Sequence, residues 1–225
     1  GFSVRNFKNL AAVPAAEDDL VELGRLNVLI GPNGSGKSSL LQAIDFLRAF
    51  FMSSVEVYLR DKGWEYNDLP NLRRRGKSIR WELAAQLPAD ENGIGGGRYH
   101  YMVSLQPRRH LGVGQERLEW HSPDEGGVLL LSRRGRQIMQ LDRAAGKLER
   151  LRAVGLPASV MSQMDPESEA DRKRYPQMLR FRRWVESIRS YLIWDPKVLR
   201  NPDQGKPAEL GSSGEHLAGL IGKLK

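Results

Sequence analysis

The chain contains no cysteine, which excludes disulfides, thiolate zinc sites and cysteine nucleophiles. Its four histidines do not fall into a paired ligand spacing, so a site built from metal ligands alone is not expected. No apolar run approaches the roughly 18 residues of a membrane-spanning helix, and the first residues lack the pattern of a secretory signal. These absences predict a cytoplasmic protein without a membrane partner, in which any metal arrives together with a bound ligand.

Acidic residues are outnumbered by basic ones. The chain has 35 lysines and arginines against 27 acids, which gives a formal net charge of +8 and an isoelectric point of about 9.9. Such an excess attracts polyanions without sequence specificity, so DNA is one expected partner and a solvated basic surface is the alternative interpretation. With 225 residues and 40% hydrophobic content, the chain is large enough to bury a substantial core.

An apolar run at residues 26–30 ends at a glycine-rich loop, and a helical pattern follows. In that pattern the apolar residues Leu40, Ile44, Leu47 and Phe51 recur on one face. The order strand, loop and helix is therefore predicted around residues 31–38.

Residues 31–38 read Gly-Pro-Asn-Gly-Ser-Gly-Lys-Ser and satisfy the P-loop pattern G-x-x-x-x-G-K-[ST]. Backbone amides of residues 34–39 and the positive end of the following helix would hold a β-phosphate. Lys37 would bridge the β- and γ-phosphates and act catalytically, and Ser38 would bind Mg²⁺, since the chain has no threonine for that role. A glycine turn that only caps the helix is the alternative. The predicted nucleotide-binding residues of the loop are Asn33, Gly34, Ser35, Gly36, Lys37, Ser38 and Ser39.

Residues 5–10 (Arg-Asn-Phe-Lys-Asn-Leu) and 26–44 resemble the opening of the RecF and SMC class of ABC ATPases, particularly the bacterial RecF-like ATPases of the AAA family. The likeness is tight over residues 1–51 and looser at 191–196 and 211–220. It implies ATP and Mg²⁺ as cofactors, and it implies that Lys8 and Asn9 lie beside the nucleotide. It also implies hydrolysis in an ATP-dependent homodimer of heads, with work passed to DNA or to a partner enzyme.

The hydrolytic acids of this class are not evident. Asp195 follows an apolar segment, but Pro196 stands where the resemblance places a general-base glutamate, so a structural aspartate is favoured. Residues 211–215 imitate an ABC signature or form a helix-entry turn. Gln86 and Gln106, at predicted strand ends, are either Mg²⁺-sensing glutamines or exposed strand residues.

Alternation of apolar and polar residues between Ile79 and Asp142 predicts an antiparallel meander. After Pro176, apolar residues from Met178 to Leu192 recur at steps of three and four with arginines between them, which predicts a basic amphipathic helix.

The predicted fold is an α/β P-loop NTPase core of the ABC type, in part, with an antiparallel β lobe and a helical segment. Residues 1–60 would form the strand, loop and helix, residues 61–150 the β lobe, and residues 151–225 a helical segment and linker. A missing C-terminal half or a second polypeptide would complete the ATPase. An ATP-dependent partner-binding module with little turnover is the alternative function. A GTPase, suggested by residues 124–127, lacks a guanine-reading motif.

Overall fold

The computed structural model describes residues 1–16, 19–74, 78–91, 93–107, 111–122, 125–152 and 157–189. The chain divides into two compact units, Gly1–Ser187 and Ile188–Lys225, and nearly all of the second unit lies outside the described residues. The predictions for Asp195 and for residues 211–215 therefore concern positions that the structure does not describe.

A sheet of eight antiparallel strands forms the body of the first unit, in the order β2-β1-β3-β4-β5-β6-β7-β8. The predicted meander is confirmed in position and direction, although β8 was not predicted. Strand β1 pairs with β3 through partners such as Val4 and Trp81, so the start of the chain belongs to the same sheet as the meander. The strands are β1 (Phe2–Phe7), β2 (Leu10–Val13), β3 (Ile79–Leu87), β4 (Gly97–Pro107), β5 (Leu111–Ser122), β6 (Gly126–Arg134), β7 (Gln137–Asp142) and β8 (Lys147–Arg152).

The helices connect and cover these strands. They are α1 (Lys37–Phe51), α2 (Val55–Lys62), α3 (Glu169–Arg174) and α4 (Pro176–Ser187), with short 3₁₀ helices at Tyr66–Asp68, Leu72–Arg74 and Val160–Gln163. Helix α4 begins at the predicted proline, whose fixed φ suits the first helical position. It ends at Ser187, so the predicted continuation through Ile188 is wrong, and Leu192 lies outside the described residues.

An aromatic core joins α1 and α4 to one face of the sheet. The Trp81 indole N–H donates to the carbonyl of Ala43 at 3.1 Å, and the ring of Phe46 stacks on Trp81 with centroids 5.5 Å apart. Phe181 of α4 stacks on Tyr99 at the same centroid distance. Because such rings bury large apolar areas in fixed geometries, they hold α1 in place. The position of α1 in turn places the loop that precedes it.

The predicted strand at residues 26–30 is not formed. Leu26, Val28 and Ile30 are 85%, 71% and 90% exposed, and the segment lies outside every described strand. Strands of a parallel P-loop core are buried on both faces and bonded on both edges, and the described part of the chain supplies no strand beside this run. The α/β class and the antiparallel lobe are thus confirmed, since the described sheet is antiparallel throughout with helices on it, whereas the described residues contain no parallel strand of a P-loop core.

Candidate nucleotide-binding site

Two glycines shape the loop before α1. Gly34 and Gly36 have φ of 80° and 100°, in the left-handed region that favours glycine. A Cβ on Gly36 would stand 2.6 Å from Cδ2 of Leu10, a side chain of β2. Glycine is therefore required at position 36 both for backbone conformation and for the close approach of the loop to the sheet.

The amino end of α1 is open to an anion. Gly36 occupies the N-cap position without a side chain to accept from the first-turn amides, and the first turn of the helix contains no acidic residue. The positive end of the helix dipole is therefore not neutralised by the helix itself. Ser38 is exposed and Ser39 is half-buried at this end, so both hydroxyls lie where a bound phosphate or its cation would be.

The Lys37 ammonium lies over the loop. Its Nζ donates to the carbonyls of Gly31 and Pro32 at 2.7 and 2.8 Å and lies 3.4 Å from Oγ of Ser35. These carbonyls hold the charge at the loop, and the four-carbon stem of lysine allows it to turn toward a phosphate. An ammonium, hydroxyls and helix-end amides are the donor set that a triphosphate requires, so the residues present fit the expected ligand.

The turn between β1 and β2 reaches the same loop. Lys8 and Asn9 form a two-residue hairpin loop between the paired residues Phe7 and Leu10, with a φ of 50° at Lys8. The Asn9 amide donates to the carbonyl of Gly34 at 3.1 Å. The structure therefore brings both residues that the resemblance placed near the nucleotide to the edge of the P-loop.

Lys8 has a second partner that the sequence did not indicate. Its Nζ lies 2.9 Å from the centroid of the Trp64 ring, a cation–π contact. Burial lowers the pKa of Lys8, and the carboxylate of Asp68 partly opposes that effect. Lys8 is thus a cation that lies over an aromatic face at the rim of the loop, within the electrostatic influence of a carboxylate.

A cavity of about 980 Å³ opens between the P-loop, the β1–β2 turn and the segment after α2. Sequence reasoning missed the half of its lining that comes from residues 64–73, because nothing local marks these residues as neighbours of the loop. Long-range hydrogen bonds bring them there, from Lys8 N to the carbonyl of Leu69 at 2.7 Å and from Asn71 N to the carbonyl of Asn6 at 3.1 Å. The lining comprises Lys8, Asn9, Ala11, Gly34, Ser35, Ser39, Trp64, Asp68, Pro70, Asn71, Leu72 and Arg73.

The two candidate glutamines lie at opposite ends of the sheet, and both are exposed. Gln86 pairs with Arg98 near the start of β4, far along β3 from the P-loop end of β1. Gln106 follows Leu105, which pairs with Ile79, so the register places Gln106 at the end of the sheet where β1 turns. Gln106 therefore lies at the same end of the sheet as the β1–β2 turn, and Gln86 lies at the other end.

Metal ligands are sparse in the described ranges, where no group of three or more histidine, aspartate or glutamate side chains could hold an ion. Within the same ranges no helix has the length and apolarity to cross a membrane. In the P-loop pattern, the hydroxyl at position 38 and the phosphates of the ligand would hold the cation.

Residues 26–82 match the family model described as "AAA domain, putative AbiEii toxin, Type IV TA system". The match covers the apolar run at 26–30, the P-loop, α1, α2, residues 64–73 that line the cavity, and the start of β3. No curated protein and no solved structure matches the chain. The family match supports a P-loop ATPase family of the AAA type, with ATP as the nucleotide that such domains bind.

Proposed function

We propose that this chain binds Mg-ATP through residues 31–39 and is the nucleotide-binding part of a RecF/SMC-like ATPase. The observation that carries the proposal is the convergence of the Lys37 ammonium, two left-handed glycines and an uncapped helix end on one loop. That loop lies within the residues that match the AAA family model. A turn serving only to begin α1 needs neither the lysine over its carbonyls nor a neighbouring cavity.

Each residue of the site has a distinct task in this proposal. Lys37 turns from the carbonyls of Gly31 and Pro32 to the β- and γ-phosphates, where its charge offsets theirs. The hydroxyl of Ser38 holds Mg²⁺, and the amides at the start of α1 hold the β-phosphate. Asn9, through its bond to the Gly34 carbonyl, keeps the loop in its open shape. Mg-ATP supplies the triphosphate whose terminal bond is hydrolysed.

Turnover requires a further polypeptide segment in this proposal. The sequence shows no Asp-Glu pair after an apolar strand, and the exposed run at 26–30 carries the apolar pattern of a central strand. Strands from a C-terminal half or a second polypeptide would cover this run and bring the missing acid. ATP would then be hydrolysed to ADP and phosphate in a head dimer, with DNA or another protein receiving the work. A module that uses ATP to hold a conformation is the alternative, because binding alone needs only the local loop.

Calorimetry of Mg-ATP binding tests the first part. Lys37→Ala removes a charge-assisted contact of about 1.5 to 3 kcal/mol, so the affinity should fall tenfold or more. Lys147→Ala, which removes an exposed lysine from β8, is the matched control and should bind as the wild type does. Equal affinity of the Lys37→Ala variant and the wild type would overturn the proposal.

A phosphate-release assay tests the second part. The chain alone should bind Mg-ATP and hydrolyse it negligibly, because lacking a general base costs about 10² to 10⁴ in rate. Addition of the completing polypeptide should restore turnover. Rapid hydrolysis by the chain alone that is lost in Lys37→Ala would show that one of its own acids is catalytic.

A further inference from the structure

We infer that the cavity beside the P-loop is a nucleoside subsite, in which Trp64 forms the aromatic wall for the base of the bound nucleoside triphosphate. This inference rests on the proposed function, because the phosphates must first be held at residues 31–39. It assigns a ligand-binding role to Trp64 and Asp68, which lie in the segment after α2.

The first observation behind this inference is that the phosphate loop and the cavity share part of their lining. Gly34, Ser35 and Ser39 belong both to the phosphate loop and to the cavity wall. A ligand anchored by its phosphates at this loop therefore extends into the cavity when its remainder points toward the β1–β2 turn. The volume of about 980 Å³ lies at the upper end of the range of small-ligand pockets, so a base and a ribose fit there.

The aromatic wall is the second step. Trp64 is half-buried, its ring is held edge-on by Tyr58 at a centroid distance of 6.0 Å, and Lys8 Nζ lies over its face. A face that accepts an ammonium is accessible and electron-rich, and stacking on such a face is how proteins hold bases without a sequence code. The flexible stem of Lys8 lets the ammonium leave the ring for the phosphates, so the base takes the ring as Lys8 turns to the negative charge.

The third observation is a carboxylate at the cavity wall that can accept hydrogen bonds from a nucleoside. Asp68 Oδ2 accepts from the backbone N–H of Glu65 at 2.8 Å, which fixes the carboxylate at the cavity wall. A carboxylate only accepts hydrogen bonds, so its partners are the hydroxyl groups of a ribose or the amino group of a base. Inorganic triphosphate carries no such carbon-bound donors. The cavity should therefore distinguish a nucleotide from a bare triphosphate.

The test compares calorimetric binding of ATP and of inorganic tripolyphosphate, each with Mg²⁺. In Trp64→Ala the affinity for ATP should fall about tenfold, since stacking contributes about 1 to 3 kcal/mol per base, while the affinity for tripolyphosphate should stay within about twofold. Trp64→Phe keeps an aromatic face and should lie between. Lys37→Ala should weaken both ligands. Trp184→Ala removes a half-buried tryptophan of α4 that does not line the cavity and should leave both affinities unchanged.

Tryptophan fluorescence gives a readout that does not depend on the fold of an alanine variant. The difference in emission change between the wild type and Trp64→Phe should be larger with ATP than with tripolyphosphate, because tripolyphosphate can draw Lys8 from the ring but brings no base to stack on it. Failure of both ligands to bind the wild type would refute the proposed function itself. Binding of both ligands with equal effects of the Trp64 substitutions on each, or with none, would overturn the nucleoside subsite and leave the phosphate site standing.

Discussion

The body of the sheet and the segment before the P-loop differ sharply in how far their apolar side chains are buried. Beneath α1, Phe7, Phe46 and Trp81 are completely buried and touch one another through their rings. Ahead of α1, residues 26–30 have an equally apolar pattern, yet Ile30 is 90% exposed. Both regions have the composition of a core, but only the first is fully buried within the described part of the chain.

This difference teaches that the two regions obtain their order from different sources. The body is stabilised by burial within the chain, at about 25 cal/mol per Å² of apolar area removed from water. The apolar residues at 26–30 bury less area in the described residues, where Leu29, the least exposed of them, is still 45% exposed. In the proposed function a strand of a further polypeptide would cover this run, and contiguous exposed apolar residues are typical of such interaction surfaces.

Single substitutions in the two regions should break or uphold this comparison, with the largest effect in the body. Trp81→Ala should reduce the free energy of unfolding by about 3 to 5 kcal/mol, because it leaves a cavity under α1 and removes the indole hydrogen bond to the carbonyl of Ala43. Ile30→Ser should change it by less than about 0.5 kcal/mol. Urea unfolding of the two variants measures both values. A large loss in Ile30→Ser would show that residues 26–30 are already packed.

A substitution in the glycine loop at residues 31–38, which joins the two regions, should reduce the free energy of unfolding by an intermediate amount. Gly36→Ala forces alanine to a φ of 100° and sets its Cβ against Leu10, so unfolding free energy should fall by about 1 to 3 kcal/mol. The double variant Gly36→Ala and Leu10→Ala relieves the contact but not the backbone strain, which separates the two causes. Gly24→Ala adds a Cβ in ordinary van der Waals contact and serves as the control. Equal stability of Gly36→Ala and Gly24→Ala in thermal unfolding would contradict the strained loop.

A buried carboxyl group should make the body, and not the loop, sensitive to pH. Glu116 is completely buried and accepts from the Tyr101 hydroxyl, the Ser159 hydroxyl and the Val160 amide. Burial raises its pKa above the ordinary 4.5, an effect that these hydrogen bonds and the Arg133 guanidinium oppose.

Because the pKa of Glu116 in the folded state is raised, its contribution to stability is complete below pH 4.5 and is lost as pH rises through the folded value. Glu116→Gln cannot ionise, so the difference in unfolding free energy between wild type and variant should shift in favour of the variant as pH rises. Urea unfolding at a series of pH values measures this trend. Parallel pH profiles of the two proteins would rule out a raised pKa.

The smallest expected effect concerns the basic surface. Arg182 is engaged by Glu186 and by the Met161 carbonyl, so it supports α4 and is a poor probe of DNA binding. Arg172, Lys173 and Arg183 line an open cavity of about 750 Å³ between the β3–β4 turn and α3 and α4, and they are exposed. Lys173 pairs with Glu169 at 2.8 Å and Arg183 lies 3.7 Å from Glu167, but such exposed ion pairs are weak and leave these cations accessible to phosphates.

Replacing Arg172, Lys173 and Arg183 by glutamate should flatten the salt dependence of DNA binding, because each lost phosphate contact removes about 0.9 from the slope of log K against log salt. Arg60→Glu, Lys62→Glu and Lys147→Glu combined make a charge-matched control at other exposed positions. Electrophoretic mobility shifts over a series of salt concentrations measure the slopes. If the wild type does not shift the mobility of DNA at low salt, the basic surface does not bind DNA and only contacts solvent.

The sequence by itself determined the elements whose signals are local. The alternation of residues 79–87 and 97–107, the proline at the start of α4 and the glycines before α1 all predicted what the structure contains, because period and backbone preference act over a few residues. The P-loop itself was found because its pattern has a fixed spacing.

Only the tertiary structure decided which distant residues meet at the loop. Trp64 reaches Lys8 because the segment after α2 is hydrogen-bonded to the end of β1, a contact that no periodicity encodes. The pairing of β4 with β5 shifts register between Ser104 and Leu105, which leaves one extra residue on β5. This shift changes which β5 residues face inward, so Glu116 faces the core. Residues 26–30 stayed outside every described strand because a strand needs partners, and partners are a property of the whole assembly of strands and not of the run itself.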